Sequence, residues 1–305
     1  MVKMKTMTLK KTAGRLGRIW PGIALSILGF GCTAEIDIDL RGGEQPVLVV
    51  DARLTTDTIR HTVVLSRSSD YYAPASDHLA VSGATVYMTG DGQRFDFAED
   101  TAAPGIYRSI NRFAGLMGSR YTLVVEGVDM DGDGETETYT AESELPPMTD
   151  RIDSLHAVYS PGLPPFFMPD PQRWGWNILL YAQDPPAKDY YAFTVSVNGE
   201  PYDSRLTDMT RMPDDFTQGL YINGLPLYFF PDDGEMPLSA GDTVCLEAWG
   251  ITPEFDRYIS DVRSATRPSM PMFGGSPANV RGNLTGGAFG FFAAYAVRRG
   301  CVVLK

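Results

Sequence analysis

Asp129, Asp131, Asp133, Glu135 and Glu137 alternate through the segment DMDGDGETE, the pattern in this chain that most resembles a metal-binding loop. Acids at alternate positions of a sharp turn converge hard oxygen donors on one point, which is what Ca²⁺ requires, and Gly134 after the third aspartate permits the turn. The twelfth position counted from Asp129 is Thr140 where an EF-hand has a bidentate Glu, and both flanks alternate as strands do. Two readings therefore stand together. One is a calcium loop; the other is a solvated hairpin turn whose Asp-Gly pairs supply backbone geometry alone.

Nucleophilic, zinc and redox chemistry have fewer footholds. His61, His78 and His156 lie far apart with no HExxH, and the three cysteines include no CxxC. No GxSxG, Walker A or strand-to-helix GxGxxG occurs. Carboxylate pairs suited to glycoside hydrolysis are unavoidable among 38 acids, so they single out nothing. The chain reads as non-enzymatic, with Ca²⁺ as its one candidate cofactor.

Cys32 invites a different chemistry. Lys3, Lys5, Lys10, Lys11, Arg15 and Arg18 form a basic region, Ile19 to Gly31 form an apolar one, and the small Gly31 stands directly before the cysteine. This is the layout of a secretory signal peptide. The apolar run is 13 residues long with Pro21 inside it, short of the roughly 20 that span a bilayer. A cysteine at the cleavage point suggests a bacterial lipoprotein whose thiol is acylated and becomes the mature N-terminus. Gly29 occupies the position where such sites usually carry Leu, and an ordinary signal peptide is the alternative.

Cys245 and Cys301 would then be the remaining cysteines, both in strand-like segments. An oxidising compartment permits a bridge between them, while two separately buried thiols would serve equally well as small apolar residues. Removing residues 1–31 leaves 20 of the 26 basic residues against 38 acids, a net charge near −18. Nucleic acid is therefore an unsuitable partner, because phosphate repels such a surface.

The segment SPGLPPFFMPDPQRWGW, Ser160 to Trp176, concentrates prolines and aromatics without an obvious period and reads as a long stiff loop. Phe166, Phe167, Trp174 and Trp176 could form a contact surface for a ligand or partner, or cover a core. Tyr228, Phe229 and Phe230 pose the same question.

The elements that position these residues are short strands. Leu48, Val50, Ala52 and Leu54 share one face of a first strand; Val63 and Leu65, then Ala84, Val86 and Met88, then Tyr121, Leu123 and Val125 do likewise. Gly90-Asp91-Gly92 and Pro104-Gly105 punctuate them. Residues 46–147 are predicted to form an immunoglobulin-like β-sandwich, after a linker at 32–45. Pro146 and Pro147 cannot donate to a sheet and mark a boundary. Residues 148–305 are predicted to form a second β-rich domain, with strands over 177–181, 190–197, 220–222 and 243–249. A helix near 253–265 is capped by Thr252, starts at Pro253 and carries Glu254 and Asp256 at its positive end.

CTAEIDIDL, LVVDARLTTD, VSGATVYM, PGIYRS, GSRYTLVVE, YTAESELPP with RIDSL behind it, and NVRGNLTGGAFGFFAAY follow one another through most of the chain. In order and spacing they resemble a Bacteroidetes family of outer-membrane lipoproteins of unknown function (domain of unknown function 4249), often encoded beside TonB-dependent transporters. The resemblance implies a lipid-anchored protein of the outer membrane. Glu35, Asp37 and Asp39 resemble that phylum's surface-export signal and imply display on the cell exterior. Four Asp-Ser/Thr-aliphatic triplets resemble its O-glycosylation signal, at Thr58, Thr101, Ser154 and Thr243. Asn283-Leu-Thr285 fits an N-glycosylation sequon and is read as coincidence.

The leading expectation is a non-enzymatic accessory or ligand-capture partner of a TonB-dependent transporter. A stand-alone carbohydrate- or peptide-binding surface module is the alternative, and a hydrolase with an unrecognised site is the third reading.

Overall fold

The computed structural model describes residues 46–68, 80–148, 151–162, 173–186, 188–203, 205–213, 219–266 and 280–305. Cys32 with its leader and acids, His78, Phe166 and Phe167 lie outside the described residues. The chain is mainly β. Its strands are β1 Leu48–Thr55, β2 Thr62–Arg67, β3 Thr85–Gly90, β4 Gln93–Glu99, β5 Ile106–Ser109, β6 Arg120–Val128, β7 Glu137–Glu144 and β8 Ile152–Pro161. They continue with β9 Trp174–Gln183, β10 Tyr190–Val197, β11 Glu200–Pro201, β12 Thr210–Pro213, β13 Tyr221–Pro231, β14 Thr243–Ile251 and, after helix α1 Pro253–Thr266, β15 Phe289–Val303.

The alternating segments fold as their period dictates. Leu48, Val50, Ala52 and Leu54 are all fully buried on β1, and Tyr121, Leu123 and Val125 share the inner face of β6. Tyr191, Phe193, Val195 and Val197 do the same on β10. The Thr252 hydroxyl accepts the Phe255 N–H at 3.2 Å and caps α1. Phe255 and Ile259 of α1 pack on Phe291, Ala293, Tyr295 and Trp249, on the side of β14 and β15 away from the main core.

One sheet runs β11-β10-β14-β15-β1-β2-β5-β4-β3-β6-β7, with β12 beside β10, and a second runs β13-β9-β8. β15 joins the first described strand to a late one. Its residues 289–295 pair in parallel with β1, and its residues 296–303 pair antiparallel with β14. The sheet also folds over so that β7 meets β15. The Asn283 side chain closes the seam: its amide accepts the Phe292 N–H and donates to the carbonyls of Phe292 and Glu142, each at 2.9 Å. Beside it the Ala294 N–H donates to the Ser143 hydroxyl at 2.9 Å.

This seam changes the domain expectation. Pro146 and Pro147 do lie in the connection from β7 to β8, but residues 44–305 form one compact unit. The inner faces of β1–β7 share a continuous core with Leu155, Ile178, Leu180, Ile222 and Phe230 of the three-stranded sheet. The physical reason is β15, a single strand that satisfies backbone groups on both sides of the proposed boundary.

Cys245 and Cys301 face each other across β14 and β15 and form a disulfide. On the outside of the same pair, Arg299 ties Glu247 at 2.6 Å and Asp57 at 2.6 Å. His61 is buried beside this region; its Nε2 bonds the Phe113 carbonyl at 2.9 Å and its ring meets the Phe113 edge. Burial holds the imidazole below its ordinary pKa despite Asp57 nearby.

Two outcomes are expected. Asn283→Ala removes three bonds at the seam and leaves backbone groups of β7 and β15 unsatisfied, so it should lower unfolding free energy by about 2–4 kcal/mol in urea titration. For His61, the unfolded chain takes up a proton near pH 6.5 while the folded chain resists it. Its stabilising share is present above that value and lost as pH falls. Stability should decline as pH is lowered from about 7 towards 5, and His61→Gln should flatten that decline.

Candidate functional site

An exposed aromatic group stands at the end of the three-stranded sheet. β9 is its central strand, and the side chains of Trp174, Trp176, Ile178 and Leu180 follow the two-residue period on one face. Ile178 and Leu180 lie in the core, Trp176 is half-buried, and Trp174 is 48 % exposed, so the core face emerges from the molecule along this strand. Tyr159 pairs directly with Trp176 and Pro161 with Trp174. Both ends of the expected loop from Ser160 to Trp176 are strand, and residues 163–172 lie outside the described residues. Ser160 and Pro161 finish β8, and Trp174 to Trp176 begin β9, because the Trp spacing continues the strand alternation.

The neighbouring backbone is built for close approach. A side chain on Gly175 would collide with the Phe230 carbonyl oxygen at 2.1 Å, so glycine lets β13 lie against β9. Asn177, fully buried, donates to the Ser160 carbonyl and hydroxyl and to the Pro161 carbonyl. That side chain fixes the end of β8 beside β9. The Tyr159 ring lies 5.6 Å from Trp174 at 39° and 5.5 Å from Trp176 at 62°. Its hydroxyl donates to Asp232 at 2.6 Å, which raises the phenol pKa. Arg173 bonds Asp233 at 2.8 Å and holds that carboxyl below its usual range. Of the second aromatic group, Tyr228 and Phe230 are buried in the core and Phe229 is half-buried.

Tyr228 belongs to a buried polar pair. Its hydroxyl contacts Asp203 and donates to the Phe193 carbonyl at 2.6 Å, while Asp203 accepts the Val195 N–H at 3.2 Å. Burial raises both pKa values. The arrangement ties Asp203 to β10 and β13.

A cleft of about 640 Å³ opens between β7 and the start of α1, walled by Pro146, Pro147, Pro253, Tyr190 and Phe291. Arg120 at its rim faces Glu142 and Glu144 at 3.6 and 3.7 Å. The charges there are exposed and mutually screened, so they define no single ligand chemistry.

The acidic loop joins β6 to β7. Asp129, Asp131 and Glu137 bring oxygens within 4.8 Å of one another, and Asp133 and Glu135 do not join them. Both Asp129 oxygens accept loop amides, from Gly132 at 2.6 Å and Gly134 at 3.1 Å. Asp131 and Asp133 accept the amides two residues on. These carboxylates therefore shape the turn, and a cation at the three converging groups would have to share Asp129 with its own backbone.

Thr58 and Thr101 stand exposed in turns, whereas Ser154 and Thr243 are half-buried within β8 and β14. His156 lies exposed against Tyr181 and does not approach His61, which is buried elsewhere. Sequence pattern missed Tyr159, Arg173 and Asp232 as parts of one surface, and Asn177 as the buried side chain that fixes the strand ends there. The alternation of β8 could have placed Tyr159, but the Asp232 contact spans 73 residues and has no local signal.

A family model described as "Domain of unknown function (DUF4249)" matches residues 33–300. No curated protein matches the chain.

The turn assignment makes a test. Asp129→Ala removes two carboxylate–amide bonds and is expected to cost about 1–2 kcal/mol in thermal or urea unfolding. Asp133→Ala, which removes one exposed bond, should cost less than about 1 kcal/mol.

Proposed function

The chain belongs to the DUF4249 family, and on that premise we propose that it is a non-enzymatic outer-membrane lipoprotein serving a TonB-dependent transporter as an accessory or ligand-capture partner. One juxtaposition carries this reading. A basic and apolar leader ending at Cys32 precedes, in sequence, a β body that presents Tyr159 and Trp174 to solvent. Isolated exposed aromatics are common, but a cluster whose rings touch and whose backbone is pinned by Asn177 is a surface suited to contact.

In this reading the acyl chains on Cys32 provide attachment, and two or more are required for stable anchoring. The leader is then removed and the body stays on the membrane it was sent to. The acids Glu35, Asp37 and Asp39 favour outward display. The same aromatic surface favours a second reading, a stand-alone carbohydrate- or peptide-binding module that works without a transporter.

Labelled palmitate is expected to enter the wild-type chain and not Cys32→Ala, and protease added to intact cells should reach the body. Purification from native membranes in mild detergent should bring down a large β-barrel with the wild-type chain. An acylated protein that comes down without such a barrel would replace the transporter reading with the stand-alone one.

A further inference from the structure

We propose that Tyr159, Trp174 and Trp176 form a binding site for a neutral hexopyranose chain, an inference that rests on the ligand-capture reading and gives it a ligand class. A pyranose has an apolar face of C–H groups and a rim of hydroxyls. It therefore needs an aromatic surface with polar groups at its margin. Trp174 and Tyr159 are 48 % and 47 % exposed, and their rings are inclined to one another at 39°. Inclined rings offer stacking to successive sugars of a bent chain, where coplanar rings would suit a flat one.

The margin is polar on the side of β13. Asp232, engaged by the Tyr159 hydroxyl at 2.6 Å, keeps a second oxygen that can accept from a sugar hydroxyl. Arg173 donates to one oxygen of Asp233 through Nε at 3.1 Å and Nη2 at 2.8 Å, and Asp233 adds a second carboxylate to the margin. Among the described residues two carboxylates stand against one guanidinium at this margin, which disfavours uronates, sialic acids and phosphorylated sugars. β9, which carries both tryptophans, is paired with β8 on one side and β13 on the other, so an extended peptide that added a strand would do so on the edge strands β8 or β13 and not between the rings. The surface is also held in place before any ligand arrives, by Asn177 beneath it and by the Tyr159–Asp232 bond, which lowers the ordering cost of binding.

The test uses the full chain in a detergent without a sugar headgroup. Maltohexaose, cellohexaose and mannohexaose are titrated by calorimetry and by tryptophan emission. At least one is expected to bind saturably. Trp174→Ala should weaken it at least about tenfold, as truncation of an anchoring aromatic does, with an unchanged melting midpoint because the side chain is half-exposed. Trp174→Phe should restore most of the affinity, and Tyr159→Phe, which releases Asp232, should weaken it by a smaller factor. Absence of binding at millimolar sugar, or equal binding by Trp174→Ala, overturns the proposal. So does Trp174-dependent binding of an apolar peptide or of lipid vesicles in place of the sugars. Barrel co-purification does not depend on any of these results, so a failed sugar site and a failed transporter partnership are told apart.

Discussion

The fold depends on β15 being shared. A strand of 15 residues can satisfy two neighbours only if its backbone reaches both, and here it pairs with β1 along its first half and β14 along its second. Gly290 makes the first pairing possible. It sits at φ +101°, and a Cβ there would stand 1.9 Å from the Val50 carbonyl oxygen. Any other residue would be both strained and obstructed. On the opposite edge of β15, Asn283 imitates a strand by offering both a donor and an acceptor to Phe292. Gly282 next to it again allows close approach, to the Gly290 carbonyl. The segment VRGNLTGGAFGFFAAY, residues 280–295, is thus a closing device. Its glycines and asparagine let the sheet fold over and join a strand from the start of the chain.

Closure explains why one core serves the whole unit, and it also assigns the polar residues. Asn283, which a sequon rule would mark for glycosylation, has its amide fully employed within the seam. Asp57, in a triplet that suggested modification of Thr58, holds Arg299 of β15. That bond lowers the Asp57 pKa and raises that of Arg299. The carboxylate therefore contributes stability above its ordinary titration range, and that contribution is lost as pH falls through the lowered value. The ion network and the disulfide lie together on the outer side of β14 and β15, so the shared strand is fastened covalently and electrostatically as well as by its ladder.

Local physics made much of the fold legible. Residues spaced by two fixed the inner faces of β1, β2, β6 and β10, and Thr252-Pro253-Glu254 fixed the start of α1. Nothing local announces that residue 289 pairs in parallel with residue 49, because such a pairing is decided by which edges remain open after the hairpins form. The boundary at Pro146–Pro147 was legible as a break in the ladder and illegible as a continuous core. Trp174 and Trp176 were legible as an aromatic pair that could face a ligand or cover a core, but proline-rich surroundings hid the strand that carries them. The side chains that complete their surface come from a turn some 60 residues away.

A surface of three inclined rings with a single charged margin is small, and small surfaces bind weakly when free in solution. A tether alters that arithmetic. A protein held at the membrane through Cys32, as proposed, would meet a ligand at the effective concentration set by its neighbours on the same surface, and a polymeric ligand would meet many copies at once. Millimolar affinity per site is then sufficient for capture, and fast release favours handing the ligand on. Tight binding would oppose that transfer. The proposed anchor and the modest aromatic surface are therefore physically consistent with each other: the first supplies the concentration that the second lacks.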